Sequence, residues 1–191
     1  NRNRILLHSI SWKIHTGEAW LLTGGNGSGK SALAAALAGS LAILQNGTDE
    51  YPTTSLPDAA IASIEEAARL IREEREQDDS EFTEGGVDTG RTPADILGLA
   101  EPESHPAVIQ CGIQRILHRG LKYLSTGEIR RTILAKTLAG NARIIILDEP
   151  FDGLDTDSRR ELSHTIDRIA CNPDQTLIVI QDREQGIPES V

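Results

Sequence analysis

Hydrophobic residues along the chain follow two spacings, which together predict alternating strands and helices. Residues 143–148 and 176–180 are continuously apolar and rich in β-branched side chains, as is typical of parallel strands buried on both faces. Between them, residues 156–170 place Leu162, Ile166 and Ile169 at helical spacing, which predicts a helix with these side chains inward. A strand, a helix and a second strand in this order predict a right-handed β-α-β unit in a parallel sheet.

The same patterns predict strands near the N-terminus and helices over the middle of the chain. Residues 5–14 alternate apolar with polar side chains, which predicts a half-exposed strand, and the apolar segment 19–23 predicts another. Residues 59–76 predict a helix. Its inward face is expected to comprise Ile61, Ile64, Ala68 and Ile71. Further helices are predicted over residues 31–38, 93–99, 107–117 and 129–138. The sequence therefore predicts an α/β fold.

A glycine-rich loop joins the strand at 19–23 to the helix at 31–38, and it fits the phosphate-binding pattern G-x-x-x-x-G-K-[ST]. The loop and the residue after it are Gly24, Gly25, Asn26, Gly27, Ser28, Gly29, Lys30, Ser31 and Ala32. Glycines let successive backbone N–H groups turn inward as an anion-binding nest, at the positive end of the following helix. Lys30 adds charge for the β- and γ-phosphates, and the Ser31 hydroxyl can ligate Mg²⁺. The loop predicts binding of a nucleoside triphosphate.

Two adjacent carboxylates stand at the end of the predicted strand 143–148. Asp148 is expected to hold Mg²⁺, directly or through water, as the strand-end aspartate does in phosphate-loop enzymes. Glu149 is expected to orient and deprotonate the attacking water. A strand that simply runs into an acidic turn is the alternative, and the phosphate loop upstream argues against it.

Composition and charge narrow the classes of protein further. The chain has 191 residues, a formal charge of −10 and a pI near 4.9, so it carries no electrostatic footprint for nucleic acid or an anionic membrane. No apolar run approaches the length of a transmembrane segment, and no secretory signal is visible. Cys111 and Cys171 lack a C-x-x-C partner and the histidines lack ligand spacing, which predicts a cytoplasmic protein with structural thiols and no metal cluster. The absence of methionine leads us to expect a longer parent chain.

Two more motifs complete a set of four. Residues 124–128 read Leu-Ser-Thr-Gly-Glu before a predicted helix, and residues 151–155 read Phe-Asp-Gly-Leu-Asp directly after the paired carboxylates. With the phosphate loop and Asp148-Glu149, these motifs resemble the ATP-binding-cassette (ABC) ATPases over essentially the whole chain. The resemblance implies a P-loop NTPase fold in one domain, residues 1–191, with N-terminal antiparallel strands and a helical subdomain over residues 52–140.

The resemblance also implies partners and further site residues. The segment at 124–128 corresponds to the family signature loop, which would cap the γ-phosphate of ATP held by a second cassette, in the same chain or in a homodimer. Its site residues would be Ser125, Thr126, Gly127 and Glu128. Asp155 would lie at the same dimer seam. ATP and Mg²⁺ are the implied ligands, with Lys30 and Glu149 as the catalytic residues.

Several segments together resemble more narrowly the N-terminal cassette of the ModF type, also called photorepair protein PhrA. They are residues 28–33, 88–92, 122–128 and 148–155. This resemblance implies a soluble tandem-cassette protein, associated with molybdate or other transport, with a membrane transport subunit as a candidate partner. Taken alone, residues 88–92 predict only a turn.

The sequence departs from the family pattern at several positions. The strand 176–180 is followed by Gln181-Asp182 in place of a pair ending in the histidine that contacts the γ-phosphate. A carboxylate would repel that phosphate unless it is protonated or bridged by the metal, so Asp182 either caps the next segment or slows hydrolysis. The family's glutamine near residues 62–66 is not identifiable; the candidates there are Ser63, Glu65 and Glu66.

Other side chains carry weaker predictions. Arg130 and Arg131 are expected to be solvated helix cations, with contact to a nucleotide or a facing cassette as the alternative. Trp12 and Trp20 are expected to pack against the sheet. Two rival functions stay open: a mechanical ATPase acting on nucleic acid or the ribosome, and a regulatory cassette that binds ATP and hydrolyses it slowly. The net charge argues against the first.

Overall fold

A parallel sheet runs through the part of the chain that the structure describes, in a computed structural model covering residues 7, 10–39, 58–76, 90–140 and 142–182. Its strands are β1 (Ala19–Thr23), β2 (Ala59–Ser63), β3 (Ile144–Asp148) and β4 (Thr176–Gln181). Every neighbouring pair is parallel, and the order across the sheet is β1-β4-β3-β2. The helices within the described residues are α1 (Lys30–Leu37), α2 (Ile64–Glu76), α3 (Pro93–Leu97), α4 (Pro106–Cys111), α5 (Thr126–Ala139) and α6 (Thr156–Ala170).

The core lies on both faces of β3 and β4. On one face, Ile145 and Leu147 pack with the buried side chains of α4, α5 and α6. On the other, Ile146 packs with Ala34 of α1. Strands covered on both sides need a continuous apolar sequence, which is why the positions of β3 and β4 could be predicted from their apolar runs. The predicted β3-α6-β4 unit is confirmed, and so is the inward face of α6 at Leu162, Ile166 and Ile169.

The predicted helix 59–76 needs correction at its start. Residues Ala59–Ser63 form β2, which pairs with β3 in register Ala59 to Ile144. Backbone pairing with a buried strand outweighs the helix propensity of this alanine-rich segment, because propensity is only a weak preference. The buried side chains of α2 are Ala67, Leu70 and Glu74, whereas Ala68 is exposed. Ile71 is half-buried and packs against the same cluster, as predicted, so the predicted face is wrong at Ala68; the side chain of Ile64 lies outside the described part.

The N-terminal strand prediction also needs correction. The described residues Ile10–Ile14 belong to no strand, and no antiparallel strand pair occurs among the described residues. Two apolar side chains of this alternating segment are still half-buried by packing. Trp12 and Ile14 contact the apolar face beside α1, as the sequence predicted for Trp12. Trp12 meets Trp20 edge to face, with ring centroids 5.2 Å apart. Residues 5, 6, 8 and 9 lie outside the described residues.

Other predicted elements agree with the structure within a few residues. Helix α5 begins at Thr126, earlier than predicted, and the segment 107–117 divides into α4 and a 3₁₀ turn at Gln114–Ile116. Residues 45–57 and 77–89 lie outside the described residues. The division into one domain with a helical subdomain over 52–140 stays a prediction; β2, within that range, belongs to the sheet.

Among the described residues, no helix is both long and apolar enough to cross a membrane. Cys111 and Cys171 are both free thiols, the first buried and the second exposed. Burial raises the pKa of Cys111 to about 12, so this thiol stays protonated at neutral pH.

Candidate functional site

The glycine-rich loop between β1 and α1 presents an open backbone surface. Gly27 and Gly29 have φ of +81° and +96°, a region that side chains with a Cβ rarely adopt. The Ser28 N–H donates to the carbonyl oxygen of Gly25 at 3.1 Å, which closes the loop into a tight turn. A Cβ built at Gly25 or Gly27 would meet nothing within 4 Å, so the space in front of the loop is open. Such a loop at a helix N-terminus fits the phosphates of a nucleotide.

The Lys30 side chain folds back over this loop. Its Nζ donates to the carbonyl oxygens of Gly24 at 2.7 Å and Gly25 at 3.2 Å, and to Oδ1 of Asp182 at 2.5 Å. Only 10% of the Lys30 side chain is exposed. The ammonium therefore lies in the loop with a carboxylate as its counter-ion.

Asp182 follows β4 directly and faces the phosphate loop. Strand register explains this position, because Thr23 at the end of β1 pairs with Gln181 at the end of β4. With its amide turned to donate, Asn26 reaches Oδ1 of Asp182 at 3.1 Å. The Asp182 carboxylate thus contacts two residues of the phosphate loop, whereas the segment that it would alternatively cap lies outside the described residues.

Asp148 occupies the end of β3 beside the start of α1. Its carboxylate is hydrogen-bonded to the Ser31 hydroxyl, and only 4% of the residue is exposed. Burial raises the pKa of Asp148. Its Oδ1 has no hydrogen-bond partner among the described residues. A buried carboxylate oxygen left unpaired beside a hydroxyl is the donor set that Mg²⁺ prefers, so these residues fit the metal.

Glu149 begins the turn after β3, with φ of +51°. Its backbone N–H donates to the carbonyl oxygen of Ile180 at 2.9 Å. Its carboxylate accepts from the backbone N–H of Asp182 and also contacts the Asp182 carboxyl group. Burial raises the pKa of Glu149, and the Asp182 charge raises it further, against the opposing effect of Lys30. A carboxylate with raised pKa is suited to accept a proton near neutral pH.

These groups converge because the carboxyl ends of β1, β3 and β4 share one edge of the sheet. The cleft at this edge has a volume of about 300 Å³. It is lined by Asn26, Gly27, Gly29, Lys30, Ser31, Ala32, Glu149 and Asp182. The structure thus brings the predicted phosphate loop and the predicted base together around one cavity.

The predicted signature loop lies elsewhere, at the N-terminus of α5. The Ser125 Oγ accepts from the Glu128 N–H at 3.2 Å, and the Glu128 carboxylate accepts from the Ser125 N–H at 2.7 Å. The Asp155 side chain caps α6 and accepts a hydrogen bond from the Ser158 N–H at 2.9 Å. This hydrogen bond is the main reason why the pKa of Asp155 lies below its usual value.

The caps of α5 and α6 are in contact. A Cβ built on Gly127 would lie 2.6 Å from Oγ of Ser158, the residue that Asp155 caps. The structure therefore joins residues 125–128 to Asp155 on one surface, and none of them lines the cleft.

The sequence profile of the family described as "ABC transporter" matches residues 7–152. This chain belongs to that family. The ABC transporter ATP-binding protein ModF of Escherichia coli (strain K12) is 37% identical over 183 residues, which cover 93% of the chain and 36% of ModF. The cytochrome c biogenesis ATP-binding export protein CcmA of Zymomonas mobilis is 32% identical over 165 residues, covering 86% of the chain and 66% of CcmA. The chain thus spans 36% of the length of ModF and 66% of that of CcmA.

Solved structures of ABC cassettes share the fold. CbiO1 of Clostridium perfringens, part of the ABC transporter complex CbiONQ, superposes with a TM-score of 0.64 at 20% identity, covering 93% of this chain and 72% of CbiO1. The ADP conformation of an ATP-binding cassette of another ABC transporter gives a TM-score of 0.62 at 17% identity, covering 93% and 75%. This cassette therefore has the P-loop NTPase fold.

The prediction that Arg130 and Arg131 of the cassette are solvated is wrong. Arg130 is 9% exposed and donates to the carbonyl oxygen of Pro150 at 2.6 Å. Arg131 pairs with Glu161 of α6, and its side chain is 14% exposed. Helical periodicity places both arginines on α5 but cannot show that α6 and the turn after β3 cover them.

The structure also locates the three candidates for the position of the family's glutamine. Ser63 ends β2 opposite Asp148, and its Oγ accepts from the Glu66 N–H at 3.2 Å. The Glu66 carboxylate forms an ion pair with Nζ of Lys136 on α5, at 3.2 Å, and Glu65 is exposed. Ser63 thus lies at the same sheet edge as Asp148, and the charge of Glu65 contributes to raising the pKa of Asp148.

Proposed function

We propose that this cassette binds MgATP and hydrolyses it to ADP and phosphate. The observation that carries the proposal is the convergence of Lys30, the Asp148–Ser31 pair and Glu149 at one sheet edge, around an open glycine-rich loop. Family membership supports it, because ABC ATP-binding domains generally hydrolyse ATP.

Each group has a distinct task in this proposal. Backbone N–H groups of residues 27–31 and the Lys30 ammonium would bind the phosphates and stabilise the charge that develops in the transition state. Asp148 and Ser31 would hold Mg²⁺, which supplies charge neutralisation at the phosphate oxygens when it is bound. Glu149 would take a proton from water, which its raised pKa favours at neutral pH.

We further propose that the surface formed by residues 125–128 and Asp155 meets the ATP of a second cassette, in the same chain or in a homodimer. Two helix N-termini, those of α5 and α6, meet at this surface, and the positive end of a helix dipole suits a phosphate. The similarity to ModF favours a tandem-cassette protein in the cytoplasm that is associated with transport, of molybdate or of another substrate, and with a membrane transport subunit.

Two substitutions in the full-length protein test the assignment. Lys30→Ala removes the ammonium and is expected to abolish MgATP binding, measured by isothermal titration calorimetry. Glu149→Gln keeps the shape of the side chain and is expected to leave binding intact while lowering turnover by about 10²–10³-fold. Normal hydrolysis by Glu149→Gln would contradict the assignment of the base. Tight MgATP binding by Lys30→Ala would contradict the assignment of the phosphate site.

A regulatory cassette with slow turnover is the second candidate, and one observation favours it. The Lys30 ammonium is held by Asp182 at 2.5 Å, so a γ-phosphate has to compete with a carboxylate already in place. Slow single-turnover hydrolysis by the wild-type protein that accelerates on removal of this charge would support this candidate.

A further inference from the structure

Arg130 reaches from the helix of the signature loop to the turn that carries the proposed base. Its Nη1 donates to the carbonyl oxygen of Pro150 at 2.6 Å and lies 3.4 Å from that of Glu149. The side chain is buried at the contact between α5 and the end of β3. Burial lowers the pKa of Arg130 without removing its charge, since arginine stays protonated at physiological pH.

A second arginine extends this arrangement from the opposite side. Arg159 of α6 donates from Nη2 to the carbonyl oxygen of Phe151 at 2.9 Å, and its guanidinium lies 5.5 Å from the centroid of the Phe151 ring. Carbonyl oxygens of three successive residues, 149–151, are thus contacted by guanidinium groups from two helices.

The turn needs such support for two reasons. Glu149 has φ of +51°, a left-handed conformation that costs a residue with a side chain free energy and persists only when its surroundings impose it. Packing also leaves a gap on one side, because a cavity of about 30 Å³ lies against Asp148, Glu149 and Pro150 and is also lined by Arg130. The hydrogen bonds from Arg130 act on this side, in addition to the backbone bond from the Glu149 N–H to Ile180.

We propose that Arg130 is a positioning residue for hydrolysis: by bonding the carbonyl oxygens of Glu149 and Pro150, it fixes the Glu149 carboxylate relative to the phosphate loop. Arg159 holds the following carbonyl oxygen and assists it. Through Arg130, helix α5, which begins at Thr126, is joined directly to the base of its own cassette. This inference rests on the proposed function, because it concerns the base of that reaction.

The test compares Arg130→Met with Arg131→Met in the full-length protein. Both variants remove a buried guanidinium from α5, but Arg131 pairs with Glu161 and does not bond the turn. Arg130→Met is expected to lower kcat about 10²-fold, since a displacement of about 1 Å of a reacting group has an effect of that size. Its dissociation constant for MgATP is expected to stay at the wild-type value. Arg131→Met is expected to keep both values.

A double variant separates positioning from general loss of structure. If Arg130 acts through Glu149, then Arg130→Met/Glu149→Gln is no slower than Glu149→Gln alone, because the group being positioned is already disabled. Arg130→Lys retains a cation but lacks the planar guanidinium fork, and it is expected to recover part of kcat. Should Arg130→Met not fold, Arg130→Lys takes its place, with a smaller fall in kcat at constant affinity.

The outcomes distinguish the two proposals. An Arg130→Met variant with the kcat of Arg131→Met, or with affinity and kcat reduced together, overturns the positioning role. A further drop of Arg130→Met/Glu149→Gln below Glu149→Gln overturns it as well. Wild-type hydrolysis by Glu149→Gln instead overturns the proposed function, whatever the Arg130 variants do.

Discussion

The Lys30 ammonium has three acceptors in this structure, two loop carbonyl oxygens and the Asp182 carboxylate. The ion pair with Asp182 is partly screened, since 35% of that side chain is exposed, whereas the carbonyl bonds keep the ammonium within the loop. A nucleotide phosphate can therefore replace the carboxylate without moving Lys30. At the scale of one residue, we therefore expect Asp182 to compete with a phosphate for the charge of Lys30.

Replacing Asp182 by asparagine removes this competition. We expect Asp182→Asn to bind MgATP about tenfold more tightly, because a partly exposed charged hydrogen bond is worth about 1–2 kcal/mol. Isothermal titration calorimetry measures the change. Asp174→Asn, an exposed position in the loop before β4, is the control for net charge. Equal affinities of the two variants and the wild type would exclude competition by Asp182.

The same substitution predicts a change in pH dependence. Glu149 must be ionised to accept a proton, and its pKa is raised above 4.5, first by burial and in addition by the Asp182 charge. Turnover is thus full above the raised pKa and lost as the pH falls through it. In Asp182→Asn the pKa of Glu149 falls, so the acid limb of kcat is expected at lower pH than in the wild type. An acid limb at the same pH as in the wild type, or at a higher pH, would contradict the effect of the Asp182 charge on the pKa of Glu149.

Helices α5 and α6 meet at their N-termini without space for an added methyl group. Gly127 adopts ordinary helical geometry, so its small size, and not a positive φ, is what this position requires. A Cβ there would lie 2.7 Å from Cβ of Ser158. At the scale of elements, the close contact fixes the cap of the signature-loop helix against the cap formed by Asp155.

We expect Gly127→Ala to lower the free energy of unfolding by about 1–3 kcal/mol, despite the better helix propensity of alanine. Urea denaturation followed by circular dichroism gives the difference. Thr126→Ala, an exposed neighbour in the same turn, is the matched control and is expected to change stability little. Adding Ser158→Gly to Gly127→Ala should restore part of the loss. Stability equal to the control would show that the contact can relax.

Sequence and structure agree where a pattern is local or strongly periodic. The strands at 144–148 and 176–181, helix α6 and the phosphate loop all follow from continuous apolar runs, helical spacing or a motif. Strand β2 and the burial of Ala67 and Leu70 in α2 could not be predicted, because they depend on pairing with β3 and on packing against α5. The Lys30–Asp182 pair joins residues far apart in sequence, so it could not be predicted without the register between β1 and β4.

The whole cassette carries a formal charge of −10. A surface of this sign repels the phosphate backbone of nucleic acids, whose binding depends on neutralisation by lysine and arginine. The nucleotide cleft is the exception, since loop N–H groups and Lys30 provide a local positive field at a helix N-terminus.

The cassette is therefore not expected to retain DNA or RNA in a filter-binding assay, even at about 50 mM salt, where such binding is strongest. MgATP binding under the same conditions serves as the control for folded protein. Retention of either nucleic acid that weakens steeply with added salt would favour the mechanical ATPase on nucleic acid or the ribosome.

Strand β1, which leads into the phosphate loop, pairs with β4 at the far end of the described sequence, Ala19 beside Leu177. During synthesis β1 leaves the ribosome early and has to wait for β4 before it gains this neighbour. Contacts between such distant segments form late and slow folding. We therefore expect the anion nest to reach its final shape only once this pairing has formed, so that ATP selects folded molecules and does not guide the early collapse of the chain.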